Sequence, residues 1–208
     1  MKRQGAWREA SVLSLFAVVL AAGCGSSGRS WSIRSESPLE RKQAVAELGR
    51  RQDMDCYERL VAVLHEDPDR LVRSEAAFAL ARLSEKYYSI GFCPLLEALE
   101  NDPSAFVRAA SALSLSATPD SRAVEPLVKA LRDRARGRVA LRWEDRVVVY
   151  DACVSDAARF SLEEIVGLHF ESQAPSADAQ RREITAGWSS WYEPRGHLFP
   201  KSTAVAGR

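Results

Sequence analysis

Four cysteines and three histidines are the side chains of this chain best suited to nucleophilic or metal chemistry, and their spacing argues against both. Cys24, Cys56, Cys93 and Cys153 form no CxxC pair and have no histidine nearby, which excludes zinc-site and dithiol redox spacing. His65, His169 and His197 are far apart and share no motif, and neither a nucleophile elbow nor a phosphate loop occurs. The expectation is a non-catalytic chain with no metal and no cofactor. Cys56 and Cys93 fall near the starts of neighbouring helices, so a disulfide is one reading in an oxidising compartment. Against it, packed helix axes lie about 8–10 Å apart, whereas bridged Cα atoms need about 7 Å or less. Cys153 follows Ala152 at an apolar position and reads as a small buried residue.

Cys24 has a different context. Lys2, Arg3 and Arg8 precede an apolar run from Val12 to Ala22, too short to span a bilayer comfortably and shaped like the core of a secretory leader. The run ends Leu20-Ala-Ala-Gly-Cys24, followed by Gly25-Ser-Ser-Gly-Arg-Ser30. This resembles the lipobox of bacterial lipoproteins, with Leu20 one position further from the cysteine than that family prefers and Ala21 in its place. The resemblance implies cleavage before Cys24 and acylation of its thiol and new amino terminus. Two or more acyl chains give stable anchoring, where one is marginal. Gly25, rather than Asp, is compatible with transport to an outer membrane. The alternative is ordinary signal cleavage at the small residues, with Cys24 a bystander. The expected organisation is a leader over 1–23, a Ser/Gly/Arg-rich tether over 24–36, a folded domain over 37–192 and a tail over 193–208.

The composition is that of an ordinary soluble domain, 46% apolar and 27% charged. Loss of residues 1–23 takes 29 basic and 28 acidic residues to 26 and 27, a formal charge of about −1 with histidine neutral. That balance gives no electrostatic footprint for nucleic acid.

One cluster of charge stands out. Between Leu131 and Val147 the chain carries Arg132, Arg134, Arg136, Arg138 and Arg142, with Trp143 beside the last. Arginines with an exposed tryptophan on a long loop suit an acidic protein face, a polysaccharide or lipid phosphates. The competing reading is a solvated insertion whose arginines pair with Asp133, Glu144 and Asp145.

The elements that must position this loop are repeats. Asp67-Pro-Asp-Arg-Leu-Val-Arg-Ser-Glu-Ala-Ala-Phe-Ala-Leu80 returns as Asp102-Pro-Ser-Ala-Phe-Val-Arg-Ala-Ala-Ser-Ala-Leu-Ser-Leu115, about 35 residues on. Asp67 and Asp102 read as N-caps, and Pro68 and Pro103 as first helical residues of a helix with an apolar face at 3-4 spacing. Tyr57, Leu60, Val61 and Leu64 form the preceding helix of one hairpin, and Phe92, Leu95, Leu96 and Leu99 that of the next. Thr118-Pro-Asp120 opens a third copy through Val124, Leu127, Val128 and Leu131. Its second helix is expected over Val147, Val148, Ala152, Cys153 and Ala157. Upstream, Ser37-Pro-Leu-Glu40 reads as a capping box for an unpaired N-terminal helix, whose outer side includes Arg41, Lys42, Glu47, Arg50 and Arg51.

Asp-Pro-x-x-x-Val-Arg-x-x-Ala-Ala-x-Ala-Leu, with Pro-Leu-x-x-Ala-Leu on the first helix, resembles the HEAT repeat, in the short variety also found in phycobilin lyases. The resemblance covers about residues 37 to 160 and implies an all-α, right-handed α-solenoid of stacked helical hairpins. It also implies a polar ladder between repeats, built here from Asp67, Arg73, Asp102 and Arg108 and ending where Val149 replaces the arginine. Trp188 and Trp191, with Ile184 on the same helical face, read as a capping C-terminal helix or as an aromatic pair for sugar. A Trp-x-x-Trp helix after Leu162-Glu-Glu-Ile-Val-Gly167 is also similar to the C-terminal end of bacterial HEAT-repeat lipoproteins.

Three functions follow from these expectations. The first is a lipid-anchored, non-catalytic scaffold at the bacterial cell or outer membrane, facing periplasm or exterior, tethered at Cys24 and holding an unknown protein partner but no nucleic acid. The second is a lyase-like enzyme related to the phycobilin lyases, against which export argues and which a co-purifying bilin would reveal. The third is a purely structural envelope component, which would lack a stoichiometric partner.

Overall fold

The computed structural model describes residues 32–199 except 89, 119, 144 and 145, with the backbone alone over 138–152. The leader, Cys24 and most of the expected tether therefore lie outside the described residues.

Among the described residues eight α-helices form two rows. One row holds α1 (Pro38–Arg51), α3 (Arg70–Lys86), α5 (Ala105–Ser114) and α7 (Val154–Val166). The other holds α2 (Tyr57–Glu66), α4 (Phe92–Asn101), α6 (Val124–Ala130) and α8 (Ala177–Tyr192). Helices pack along each row, α1 on α3 on α5 on α7, and across it, α2 on α3, α4 on α5 and α6 on α7. This is a helical solenoid. Its core is a continuous seam of Leu60, Leu64, Leu80, Leu95, Leu115, Leu127, Leu131 and Leu162, each buried from solvent. Such side chains stabilise a fold by roughly 1.5–3 kcal/mol apiece before chain entropy is counted.

The turns differ in detail from the sequence expectation. Asp69 and Ser104, not Asp67 and Asp102, occupy the N-cap positions of α3 and α5, so Pro68 and Pro103 precede the helices. The reason is competition for the carboxylate. Asp67 Oδ1 accepts from the Asp69 N–H at 2.8 Å and Asp102 Oδ1 from the Ser104 N–H at 2.7 Å, closing Asx-turns that hold each proline outside the helix. Ser37 does precede Pro38 at the start of α1, but its side chain makes no capping bond. Glu40 instead accepts from Ser35 Oγ at 2.6 Å. The folded domain also begins before residue 37, because Ile33 packs on the core.

The larger correction concerns the third repeat. Its second helix starts at Val154, and β1 (Arg136–Trp143) and β2 (Arg146–Cys153) form a two-stranded antiparallel ribbon ahead of it, from Arg136↔Cys153 to Trp143↔Arg146. Val147-Val-Val-Tyr150 favours the pleated backbone, since consecutive β-branched residues crowd a helix, and Arg136, Arg138 and Arg142 recur at even spacing in β1. The sequence expectation mistook this run for a helical face. The ribbon lies on α5. A Cβ on Gly137 would stand 2.6 Å from the Ala105 carbonyl oxygen and 3.2 Å from the Ala109 Cβ, so only glycine lets β1 approach so closely.

The C-terminal helix closes the array. Trp188 is fully buried, with Phe170 edge-on at 4.9 Å and Trp191 at 5.6 Å between centroids. A tryptophan so enclosed is no platform for sugar. The first part of the expected tail is also docked: a short 3-10 turn over Gly196–Leu198 brings the Phe199 ring to 5.7 Å from Trp191.

Candidate functional site

Charge organises both the joints of the array and its exposed surface. Four residues after the N-cap, α1, α3 and α5 each carry an arginine: Arg41, Arg73 and Arg108. Each reaches the aspartate of the next turn. Arg41 holds Asp67 by two bonds at 2.8 and 3.0 Å, Arg73 holds Asp102 at 2.8 and 3.1 Å, and Arg108 Nε donates to Asp133 at 2.8 Å. The remaining guanidinium nitrogen, Nη1, donates to turn carbonyls: Ser35 and Glu36, Asp67 and Pro68, Asp102 and Pro103. One planar fork thus satisfies a carboxylate and two carbonyls that would otherwise be unpaired beside the core. The bond to Asp67 raises the pKa of Arg41 above its ordinary value.

The expected ladder residues Asp67, Arg73, Asp102 and Arg108 are thus brought together, and two rungs were missed. Arg41 belongs to the ladder and not to the polar outer side, and Asp133 is a rung acceptor rather than a partner of the loop arginines. The shared offset of four emerges only with Asp69 and Ser104 as the caps, since Arg73 and Arg108 stand six residues after the expected caps Asp67 and Asp102 and Arg41 stands four after Ser37. The arginines stop at Arg108, because Ala157 holds that place in α7. The last joint is reversed: α7 supplies Asp156 and α8 supplies Arg181, joined at 2.9 and 3.1 Å.

These repeats match the protein-family description HEAT repeats over residues 29–90 and 58–143, more than half of the chain. The chain belongs to the HEAT-repeat family. No curated protein matches it. HEAT repeats are a scaffold fold that generally mediates protein–protein interaction, so the surface rather than the ladder is where a site is sought.

On this HEAT array the arginine cluster is a ribbon and its base. Arg132 and Arg134 lie exposed in the turn leaving α6, and Arg136 is the exposed first residue of β1. Arg138 stands opposite Asp151, Arg142 opposite Val147 and Trp143 opposite Arg146. β1 meets α5 at Gly137, beside Ala105 and Ala109.

At the base, α8 faces the turn. Arg182, Thr185 and Ser189 recur at 3-4 spacing along one side of α8 and, with Leu131, Arg132, Arg134 and Ala186, bound an open groove of about 400 Å³. Arg132 and Arg182 have no ion pair or side-chain hydrogen bond among the described residues. Arg134 reaches Asp178 at 3.9 Å, a carboxylate that lies nearer Arg181, at 3.2 Å. Sequence reasoning found Arg132 and Arg134 but not Arg182, Thr185 or Ser189, which are some 50 residues away along the chain.

Among the described residues no group of histidines, cysteines and carboxylates is placed to hold a metal ion. His65 lies 3.8 Å from Glu97 and His169 lies 3.2 Å from Glu163. Cys56, Cys93 and Cys153 are free thiols, so the Cys56–Cys93 bridge is not formed. No described helix is long and apolar enough to cross a membrane.

Proposed function

We propose that the protein is a lipid-anchored HEAT-repeat scaffold of the bacterial cell envelope, non-catalytic, which holds a protein partner through the arginine-bearing ribbon and its base. The observation that carries this is the ribbon itself. In the two preceding pairs three residues join the helices, Asp67 to Asp69 and Asp102 to Ser104. Between α6 and α7 the array instead inserts two eight-residue strands and seats them on α5 through Gly137. Insertions on a rigid scaffold are where binding function concentrates. The anchor rests on the leader, Leu20-Ala-Ala-Gly-Cys24 and the Ser/Gly-rich segment after it.

Crosslinking in intact cells tests this, followed by detergent extraction through a C-terminal tag and mass spectrometry of bait and companions. One dominant protein crosslinked within residues 132–143, on a bait acylated at Cys24, is the expected result. An unmodified Cys24 and no stoichiometric companion would overturn it.

A further inference from the structure

The groove at the ribbon base differs from the ion-paired arginines elsewhere in the array. Arg41, Arg73, Arg108, Arg122, Arg159 and Arg181 each hold a carboxylate within 3.0 Å. Arg132, Arg134 and Arg182 converge from two elements onto one open recess, and among the described residues the carboxylate within 4.0 Å of any of them is Asp178, 3.9 Å from Arg134. Gathered like charges raise the local potential, and a recess focuses it. The surface between them is apolar at Ala186, with Leu131 buried beneath it, and along the α8 side the Thr185 hydroxyl donates to the Arg181 carbonyl at 2.7 Å.

We propose that this groove docks an extended acidic segment of a protein partner, taking Asp or Glu carboxylates on Arg132, Arg134 and Arg182 and an apolar side chain on Ala186. The inference rests on the scaffold function and adds the partner's chemistry. Guanidinium forks match carboxylate geometry and are weakly hydrated, so they give up water readily at an interface. The mixture of cationic walls and apolar surface selects a peptide, in which charged and apolar side chains alternate, over a bare phosphate. A flat bilayer does not enter a recess between a turn and a helix. In the free protein Asp178 offers Arg134 a weak substitute, which an incoming carboxylate displaces.

The test uses the full chain purified in detergent and a fluorescein-labelled Asp-Leu-Glu-Leu-Asp peptide, read by fluorescence anisotropy at low salt. Saturable binding is expected, weakened about tenfold or more in the Arg132→Gln/Arg182→Gln double variant and lost for the Asn-Leu-Gln-Leu-Asn peptide. The double variant should melt at the wild-type temperature, because neither side chain has a described partner to lose. Equal binding by the double variant or by the neutral peptide overturns the proposal. So does arginine-dependent binding to phosphatidylglycerol vesicles without peptide binding, which would make the groove a lipid site. In-cell crosslinking of the double variant separates the two levels. A dominant partner that persists overturns the groove and leaves the scaffold standing, whereas no partner even with the wild-type chain overturns the scaffold.

Discussion

Arg73 and Asp102 lock one repeat to the next by two parallel bonds, Nε to Oδ2 at 2.8 Å and Nη2 to Oδ1 at 3.1 Å, with both side chains largely withdrawn from solvent. Removing one partner strands the other at the edge of the core. Arg73→Ala is therefore expected to destabilise the domain by about 3 kcal/mol, within the usual cost of breaking a buried pair. Arg108→Ala should cost less, because its rung with Asp133 is more exposed. Urea unfolding of both variants checks the order, and a larger loss in Arg108→Ala would refute it.

Gly137→Ala places a methyl group against the Ala105 carbonyl, a backbone atom that cannot turn aside. The expected cost is about 1–3 kcal/mol, the range for overpacking. It should be localised, so limited proteolysis within residues 136–153 should accelerate before the helices melt. A variant with wild-type cleavage kinetics would show that the ribbon does not depend on this approach.

Asp120 receives three short bonds from Arg122, and that guanidinium also lies 4.5 Å from the Phe92 ring centre. The Arg122 hydrogen bond holds the Asp120 carboxyl below its ordinary pKa. A folded-state value below the unfolded one contributes stability that is fully present above the unfolded pKa, about 4, and is lost as pH falls through the folded value. In Arg122→Gln the carboxyl should titrate at higher pH, and acid unfolding should begin earlier. NMR titration of Asp120 in both proteins is the measurement, and coincident curves would contradict the assignment.

Thiol labelling of the native protein should separate the three described cysteines. Cys93 is exposed while Cys56 and Cys153 are buried, so Cys93 should react promptly and the others only on unfolding. Mass spectrometry of the alkylated peptides reports this directly. A Cys56–Cys93 disulfide in protein isolated without reductant would appear instead as resistance of both residues.

The array was legible because its signals are local. Asp-Pro and Val-Arg-x-x-Ala/Ser-Ala in the copies at residues 67–80 and 102–115 repeat at nearly fixed distance, and both copies mean the same thing. The ribbon was not legible, because Val147, Val148, Ala152 and Ala157 satisfy a helical spacing as readily as the strand they mostly form, and short apolar runs do not distinguish the two. Arg41 was misplaced because α1 has no preceding helix whose turn would mark it as a repeat. The groove could not be read at all. It depends on α8 packing on α6, which brings Arg182 beside Arg132 by tertiary contact alone.

The reversed joint between Asp156 and Arg181 bears on how such an array grows. Every internal unit presents an arginine on one side and an aspartate on the other, like plug and socket. Duplicating residues 70–104 in place would therefore give a longer chain in which each added charge finds its complement. A unit of first helix, Asp turn and second helix, such as residues 92–114, placed after α7 would instead bring its Asp102 to Ala157, which has no guanidinium to offer. Tandem expansion is thus open within the middle of the array and closed at its C-terminal end.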